Sequence, residues 1–123
     1  MSTREITLEN LESTVRYHDI VLLDFWAGWC GPCRSFAPVF EQAAADYPDL
    51  VFGKVDTEAQ QELAAGFGIS SIPTLMVFRD GIIVFAQPGA LPAPALTQVI
   101  EAVRALDMDD VRAQVEAQES SAS

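Results

Sequence analysis

Residues 21–33 read VLLDFWAGWCGPC. The first part of this stretch, with Ile20 before it, is a run of branched and aromatic residues of strand length. Because apolar and polar residues do not alternate in it, the run predicts a strand over Ile20–Trp26 that is buried on both faces. The second part contains the only two cysteines, Cys30 and Cys33. Apolar residues then keep a helical period over 33–47, so a helix is predicted to begin at the cysteine pair.

Outward from this stretch, strands and helices alternate. Strands are predicted around 5–8 and over 51–56, 74–79 and 82–85, and helices through Leu11 and Val15 (capped by Thr7), over 59–67 and over 95–106. Asp80-Gly81 is a turn signal between two apolar runs and predicts an antiparallel hairpin. The alternation predicts an α/β fold, in which a central mixed β-sheet is flanked by helices on both faces.

The length and composition predict one domain. The chain has 123 residues, of which 50% are hydrophobic, so a single core is expected over residues 1–106 and a second domain has no room. Residues 107–123 carry five acids and one arginine. This acidic extension is predicted to be a frayed helix or disordered, with Met108, Val111 and Val115 as an alternative weak docking stripe.

The net charge of -11 bears on the partners. An acidic surface repels nucleic-acid phosphates and anionic membranes, so the partners are expected to be proteins. The N-terminus lacks the basic and apolar regions of a secretory signal, and the longest apolar stretch is interrupted by Asp24 and too short to span a membrane. A soluble protein that is not exported is expected.

The two cysteines carry the candidate chemistry. A thiolate attacks a disulfide to form a mixed disulfide, and a second thiol two residues away can resolve it. Cys30 is predicted to lie at a helix N-terminus, where free N–H groups and the helix dipole stabilise a thiolate. The alternatives are a static disulfide and a zinc site. Zinc needs two further ligands, whereas the chain offers only His18 and no other cysteine, so no metal is expected.

Residues 26–33, WAGWCGPC, preceded by VLLDF, resemble the active-site signature of the thioredoxin family. The resemblance extends over roughly residues 5–106. It implies a thioredoxin fold and a monomeric, cytoplasmic protein-disulfide reductase that works through a mixed-disulfide intermediate. The redox-active group would be the Cys30-Cys33 pair, with no bound cofactor. An NADPH-dependent, flavin-containing thioredoxin reductase would restore the dithiol, and the substrates would be disulfide-containing proteins.

The resemblance also assigns roles to single residues. It implies that Cys30 is the nucleophile, that Cys33 is the resolving thiol, and that Asp24, an unusual acid in a buried strand, is a proton relay supported by Lys54. The implied substrate-binding residues are Trp29, Gly31, Pro32, Ile72, Pro73 and Gly89. The base rate for X-Pro bonds predicts a trans Pro73. The resemblance implies instead a cis proline that faces the cysteines, with Ile72 offering its backbone to the substrate.

Two other functions stay open on the sequence. An oxidant or isomerase of similar fold often carries histidine between its cysteines, whereas this chain has the uncharged Gly31-Pro32. A binding module would use the groove without thiol chemistry. Gly28, Arg34, Pro88 and the acidic extension depart from common family usage, and they are expected to alter partner preference or reduction potential, not the reaction class.

Overall fold

The structure, a computed structural model, describes residues 2–122. Its strands are β1 (Thr3–Glu5), β2 (Ile20–Trp26), β3 (Val51–Asp56), β4 (Thr74–Arg79) and β5 (Ile82–Pro88). Its helices are α1 (Leu11–Tyr17), α2 (Gly31–Asp46), α3 (Gln61–Gly66), α4 (Ala93–Arg104) and α5 (Met108–Ala122).

The sheet has the strand order β1-β3-β2-β4-β5. β3 pairs in parallel with both β1 and β2, whereas β4 pairs antiparallel with β2 and β5. The strand predicted to be central, β2, is the middle strand, and its five inner residues are buried. The predicted mixed sheet is therefore confirmed, and the cysteine loop leaves from the carboxyl end of its best-packed strand.

Side chains of β2 enter two cores in alternation. Leu22 packs with α2 and α4, represented by Phe36 and Ile100. Leu23 packs on the opposite face, in a cluster that includes Leu63 of α3 and borders α1. Because β2 is buried from both sides, its sequence does not alternate between apolar and polar residues. The predicted helices on both faces are confirmed.

The N-terminal boundaries differ from the prediction. β1 shares only Glu5 with the strand predicted around 5–8, and Thr7 starts a turn instead of capping α1 directly. Thr7 Oγ1 accepts from the Asn10 amide at 3.4 Å, and Asn10 Oδ1 accepts from the Thr7 amide at 2.8 Å. This exchange closes the turn over residues 8–10, and the α-helix begins only at Leu11.

The hairpin between β4 and β5 forms as predicted. Asp80 has φ 53° and Gly81 has φ 79°. Two successive residues with positive φ match the right-handed twist of the flanking strands and make the tight two-residue turn of a hairpin. β5 continues to Pro88, beyond the predicted end at residue 85, and reaches the neighbourhood of the cysteines.

The last helix, α5, lies in the acidic extension. Asp107 Oδ1 accepts from the amides of Asp109 and Asp110 and so caps the helix. Met108 is buried, and Arg112 contacts Asp80 of the hairpin turn at 3.5 Å. The start of α5 is thus attached to the body of the protein. None of the helices within residues 2–122 combines the length and apolar character needed to cross a membrane.

Candidate functional site

The cysteine pair stands where β2 passes into α2. Cys30 is the N-cap residue of α2 in an extended conformation, and Cys33 lies in the first turn. Pro32, between them, suits a helix start because its missing N–H would have no partner there. Cys30 and Cys33 form a disulfide with a Cα–Cα distance of 5.2 Å. The prediction that the helix begins at the cysteine pair is confirmed.

A backbone donor points at the first sulfur. The amide of Cys33 donates to Cys30 Sγ at 3.2 Å. This N–H is one of the helix donors that lack an intrahelical acceptor, and it lies at the positive end of the α2 dipole. Such a donor stabilises negative charge on Cys30 Sγ more than it stabilises a neutral thiol.

The pair is recessed beneath an exposed rim. Cys30 and Cys33 are each 4% exposed, whereas the neighbouring Trp29 is 68% exposed. Gly31 and Pro32 are exposed as well. A tryptophan this exposed leaves a large apolar surface in water beside the disulfide, as is typical of a contact surface for another molecule.

The loop before β4 forms the other wall of the site. The Ile72-Pro73 peptide bond is cis, as the resemblance implied and against the base rate. Cys30 Sγ lies 3.7 Å from the carbonyl oxygen of Ile72. The Gly89 amide donates to the Pro73 carbonyl at 2.8 Å, and its φ of 105° lies in a region that glycine tolerates best. The structure thus brings Ile72, Pro73 and Gly89 together next to the cysteines.

Asp24 is buried on β2, with an exposed fraction of 0%. Within residues 2–122 neither of its carboxylate oxygens receives a hydrogen bond. Burial raises the pKa of Asp24 from 3.8 to about 6, and the charge of Lys54 opposes that rise. A carboxyl with such a pKa exchanges protons near neutral pH.

Lys54 lies opposite Asp24 in the β2–β3 register and is half-buried. Its Nζ stands 5.2 Å from the centroid of the Trp26 ring, which fits a cation–π contact. The sequence predicted Trp26 only as part of a strand. Its contact with Lys54 depends on the pairing of β2 with β3, which no local sequence pattern specifies.

Two further contacts of the rim were missed. Trp29 Nε1 donates to Glu58 Oε1 at 3.2 Å. Arg34 Nη1 donates to the Gly28 carbonyl at 2.9 Å. The sequence marks Arg34 only as a departure from common family usage, and it does not mark Glu58, which approaches Trp29 from the segment after β3.

No metal centre lies among the described residues. Within residues 2–122 no group of three or more histidine, cysteine, aspartate or glutamate side chains is placed to hold a metal ion. Both cysteine sulfurs are joined to each other. The redox-active group that the structure describes is the Cys30-Cys33 disulfide.

Comparison with known proteins gives concordant matches. The family model described as Thioredoxin matches residues 2–102. A putative thioredoxin 2 of Streptomyces coelicolor is 63% identical over 121 residues, 98% of this chain and 90% of that protein. Thioredoxin 1 of Synechococcus elongatus is 46% identical over 94 residues, 76% of this chain and 84% of that protein.

A solved structure agrees as well. A mutant thioredoxin from Halobacterium salinarum superposes with a TM-score of 0.79 at 33% sequence identity, covering 86% of this chain and 95% of that one. Fold, sequence and the cysteine pair all point the same way. The chain belongs to the thioredoxin family and is a thiol-disulfide oxidoreductase that reduces protein disulfides.

Proposed function

We propose that Cys30 is the nucleophile of this reductase. In the reduced protein, the Cys30 thiolate attacks one sulfur of a substrate disulfide. The substrate S–S bond breaks, a mixed disulfide forms on Cys30, and the other substrate sulfur leaves as a thiolate that takes up a proton from water. The position of Cys30 at the N-cap of α2, with the Cys33 amide directed at its sulfur, supports this role.

Cys33 completes the reaction as the resolving thiol. It loses its proton, attacks Cys30 Sγ and expels the second substrate sulfur as a thiolate. The products are a substrate dithiol and the Cys30-Cys33 disulfide, so two electrons have passed to the substrate. Asp24 takes the proton from Cys33, directly or through water, and Lys54 favours its ionised form. A pKa near neutrality and the Lys54 charge support this assignment.

The substrate lies across the active-site loop, a surface made of three neighbouring segments. These segments carry Trp29, Gly31 and Pro32, then Ile72 and Pro73, and finally Gly89. An extended segment pairs with the backbone of Ile72, and its apolar side chains lie on Trp29. Backbone pairing accepts many sequences, which suits a reductase that acts on different proteins. The 3.7 Å approach of Ile72 O to Cys30 Sγ supports this placement, because the segment is then held beside the attacking sulfur.

The dithiol is restored by an NADPH-dependent, flavin-containing thioredoxin reductase, and the protein has no cofactor of its own. Its other partners are disulfide-containing proteins of the cytoplasm. The net charge of -11 supports protein partners over nucleic acid or anionic membranes. The protein acts as a monomer.

The observation that carries the proposal is the asymmetry of the two sulfurs, since within residues 2–122 Cys30 Sγ, and not Cys33 Sγ, receives a helix N–H and contacts Ile72 O. The test uses reduced Cys33→Ser and Cys30→Ser, each incubated with a disulfide-containing protein and analysed by intact mass spectrometry. We expect Cys33→Ser to accumulate a covalent complex with one substrate chain and Cys30→Ser to accumulate none. A complex formed only by Cys30→Ser would reverse the roles, and no complex with either variant would refute the proposal.

A further inference from the structure

Arg34 carries an exposed positive charge in the first turns of α2, directly after Cys33. A cation is unfavourable at this end of a helix, because the aligned peptide dipoles already place partial positive charge there. The first turn of α2 holds no acidic residue that would offset it. Helix stability therefore does not account for an arginine at this position.

The guanidinium group is held on the rim of the active site. Nη1 donates to the Gly28 carbonyl at 2.9 Å, and the Arg34 amide donates to the Cys30 carbonyl at 3.2 Å. The side chain therefore reaches from α2 back to the loop that precedes Cys30. Its charge is thus tied to Gly28, the residue directly before the exposed Trp29.

The charge of Arg34 is not neutralised within the described chain. The ion pairs among residues 2–120 are formed by Arg16, Arg104 and Arg112. A guanidinium has five N–H donors in a planar fork that matches a carboxylate. Only the Nη1 bond to Gly28 occupies this fork among the residues described, so an edge of it is free for a carboxylate from outside.

The rest of the molecule has the opposite sign. The chain has 18 acidic and 7 basic residues, so its field repels an acidic substrate segment. Glu58, bonded to Trp29 Nε1, adds a further negative charge beside Trp29. Arg34 thus offers a local attractive position for a substrate carboxylate in a repulsive surrounding.

We propose that Arg34 is a specificity-determining residue, which favours substrate disulfides that carry aspartate or glutamate beside the cysteine attacked by Cys30. This inference rests on the proposed role of Cys30. The substrate carboxylate pairs with the free edge of the guanidinium while the mixed disulfide forms. For an exposed ion pair we expect Arg34 to raise the ratio of the reduction rates of acidic and basic substrates about fivefold, which corresponds to about 1 kcal/mol.

The test uses three disulfide peptides that differ only in the residue beside the target cysteine, which is aspartate, alanine or lysine. Second-order rate constants are measured by stopped flow for the reduced wild type, Arg34→Gln, Arg34→Lys and Arg16→Gln. Arg16→Gln is the matched control, since it changes the net charge equally on α1, at the other end of β2 from Cys30.

The ratio of the aspartate rate to the lysine rate is the deciding quantity. A change in Cys30 reactivity affects all three peptides alike and cancels in this ratio. We expect it to fall about fivefold in Arg34→Gln, to be retained in part in Arg34→Lys, which keeps the charge without the planar fork, to stay unchanged in Arg16→Gln, and to shrink in the wild type at high salt.

An unchanged ratio in Arg34→Gln, with all three peptides slowed alike, would overturn the proposal and leave Arg34 only holding the loop at Gly28. A ratio lost in Arg34→Lys as well would overturn the charge-based preference. Failure of Cys33→Ser to form a mixed disulfide with the alanine peptide would instead refute the underlying role of Cys30, and this outcome is recognised without reference to any Arg34 variant.

Discussion

At the level of single residues, Asp24 is a carboxyl group buried on the central strand, where water does not reach it. Its pKa of about 6 exceeds the ordinary 3.8, so between about pH 4 and pH 6 the folded state binds more protons than the unfolded state. Stability contributed by this residue therefore falls as pH rises through that window. At pH 7 the raised pKa of Asp24 lowers the free energy of unfolding by about 3 kcal/mol.

Replacing Asp24 by alanine should stabilise the oxidised protein at neutral pH. We expect the free energy of unfolding of Asp24→Ala to exceed that of the wild type by about 1–3 kcal/mol at pH 7, because a buried charge is removed at the expense of a small cavity. At pH 4, where the folded wild type holds the proton, the gain should vanish. Urea unfolding at both pH values measures the difference, and an equal gain at both would contradict the assigned pKa.

The same substitution should slow the second chemical step. If Asp24 accepts the Cys33 proton, decay of the mixed disulfide at pH 7 should be at least about tenfold slower in Asp24→Ala. In the wild type this rate should rise with pH as Asp24 ionises around pH 6. Rapid-quench trapping of the mixed disulfide measures the decay, with Asp46→Ala, an exposed acid at the far end of α2, as the matched control. An unchanged rate would remove Asp24 from the mechanism.

Single residues also divide into those that the sequence reveals and those that it does not. Cys30 and Cys33 stand out by their spacing, and Asp24 by its place in an apolar run. Lys54 against Trp26, and Glu58 against Trp29, are contacts between different segments, and they depend on strand register. Local patterns carry no information on register, so these contacts required the structure.

At the level of elements, β2, β3, β4 and α2 follow from apolar periodicity because their buried faces are long. The N-terminal segment does not, since the exchange of hydrogen bonds between Thr7 and Asn10 delays the start of α1 to Leu11. The packing of α5 against the body of the protein is the other feature that apolar periodicity does not predict. Among residues 108–120 only Met108 is buried, and the attachment of α5 depends on a cap at Asp107 and on Arg112, which are surface contacts.

Removal of residues 107–123 tests the role of α5. We expect a chain that ends at Leu106 to reduce disulfides at the wild-type rate, because α5 contributes no residue to the active-site loop. Its free energy of unfolding should fall by about 2 kcal/mol, since Met108 loses its burial.

The matched variant for this truncation is Met108→Ala in the full chain, which should lose a similar amount of stability. Denaturant unfolding and a disulfide-reduction assay are measured on both proteins. A drop in the reduction rate of the truncated chain would contradict the boundary at residue 106. Unchanged stability would contradict the packing of Met108.

At the level of the whole molecule, the sheet order places the cysteine loop, the cis Ile72-Pro73 bond and Gly89 at one end of the central strands. Two cores hold these segments from both faces. The disulfide is therefore presented by a well-packed frame, whereas Trp29 and Arg34 beside it are exposed. We therefore expect the reaction class to depend on the packed frame that holds the cysteines, and the choice of partner to depend on the exposed residues Trp29 and Arg34.

The central claim is that the Cys30-Cys33 couple donates electrons to other disulfides, and its reduction potential tests this most directly. The purified protein is equilibrated in defined thiol and disulfide buffers, and the oxidised fraction is measured, with Cys33→Ser as the blank. We expect a potential near about -270 mV, the value of thioredoxin itself carried over from the family. A potential near about -120 mV, that of a strong oxidant, would contradict the account, because the protein would then donate its disulfide instead of reducing others.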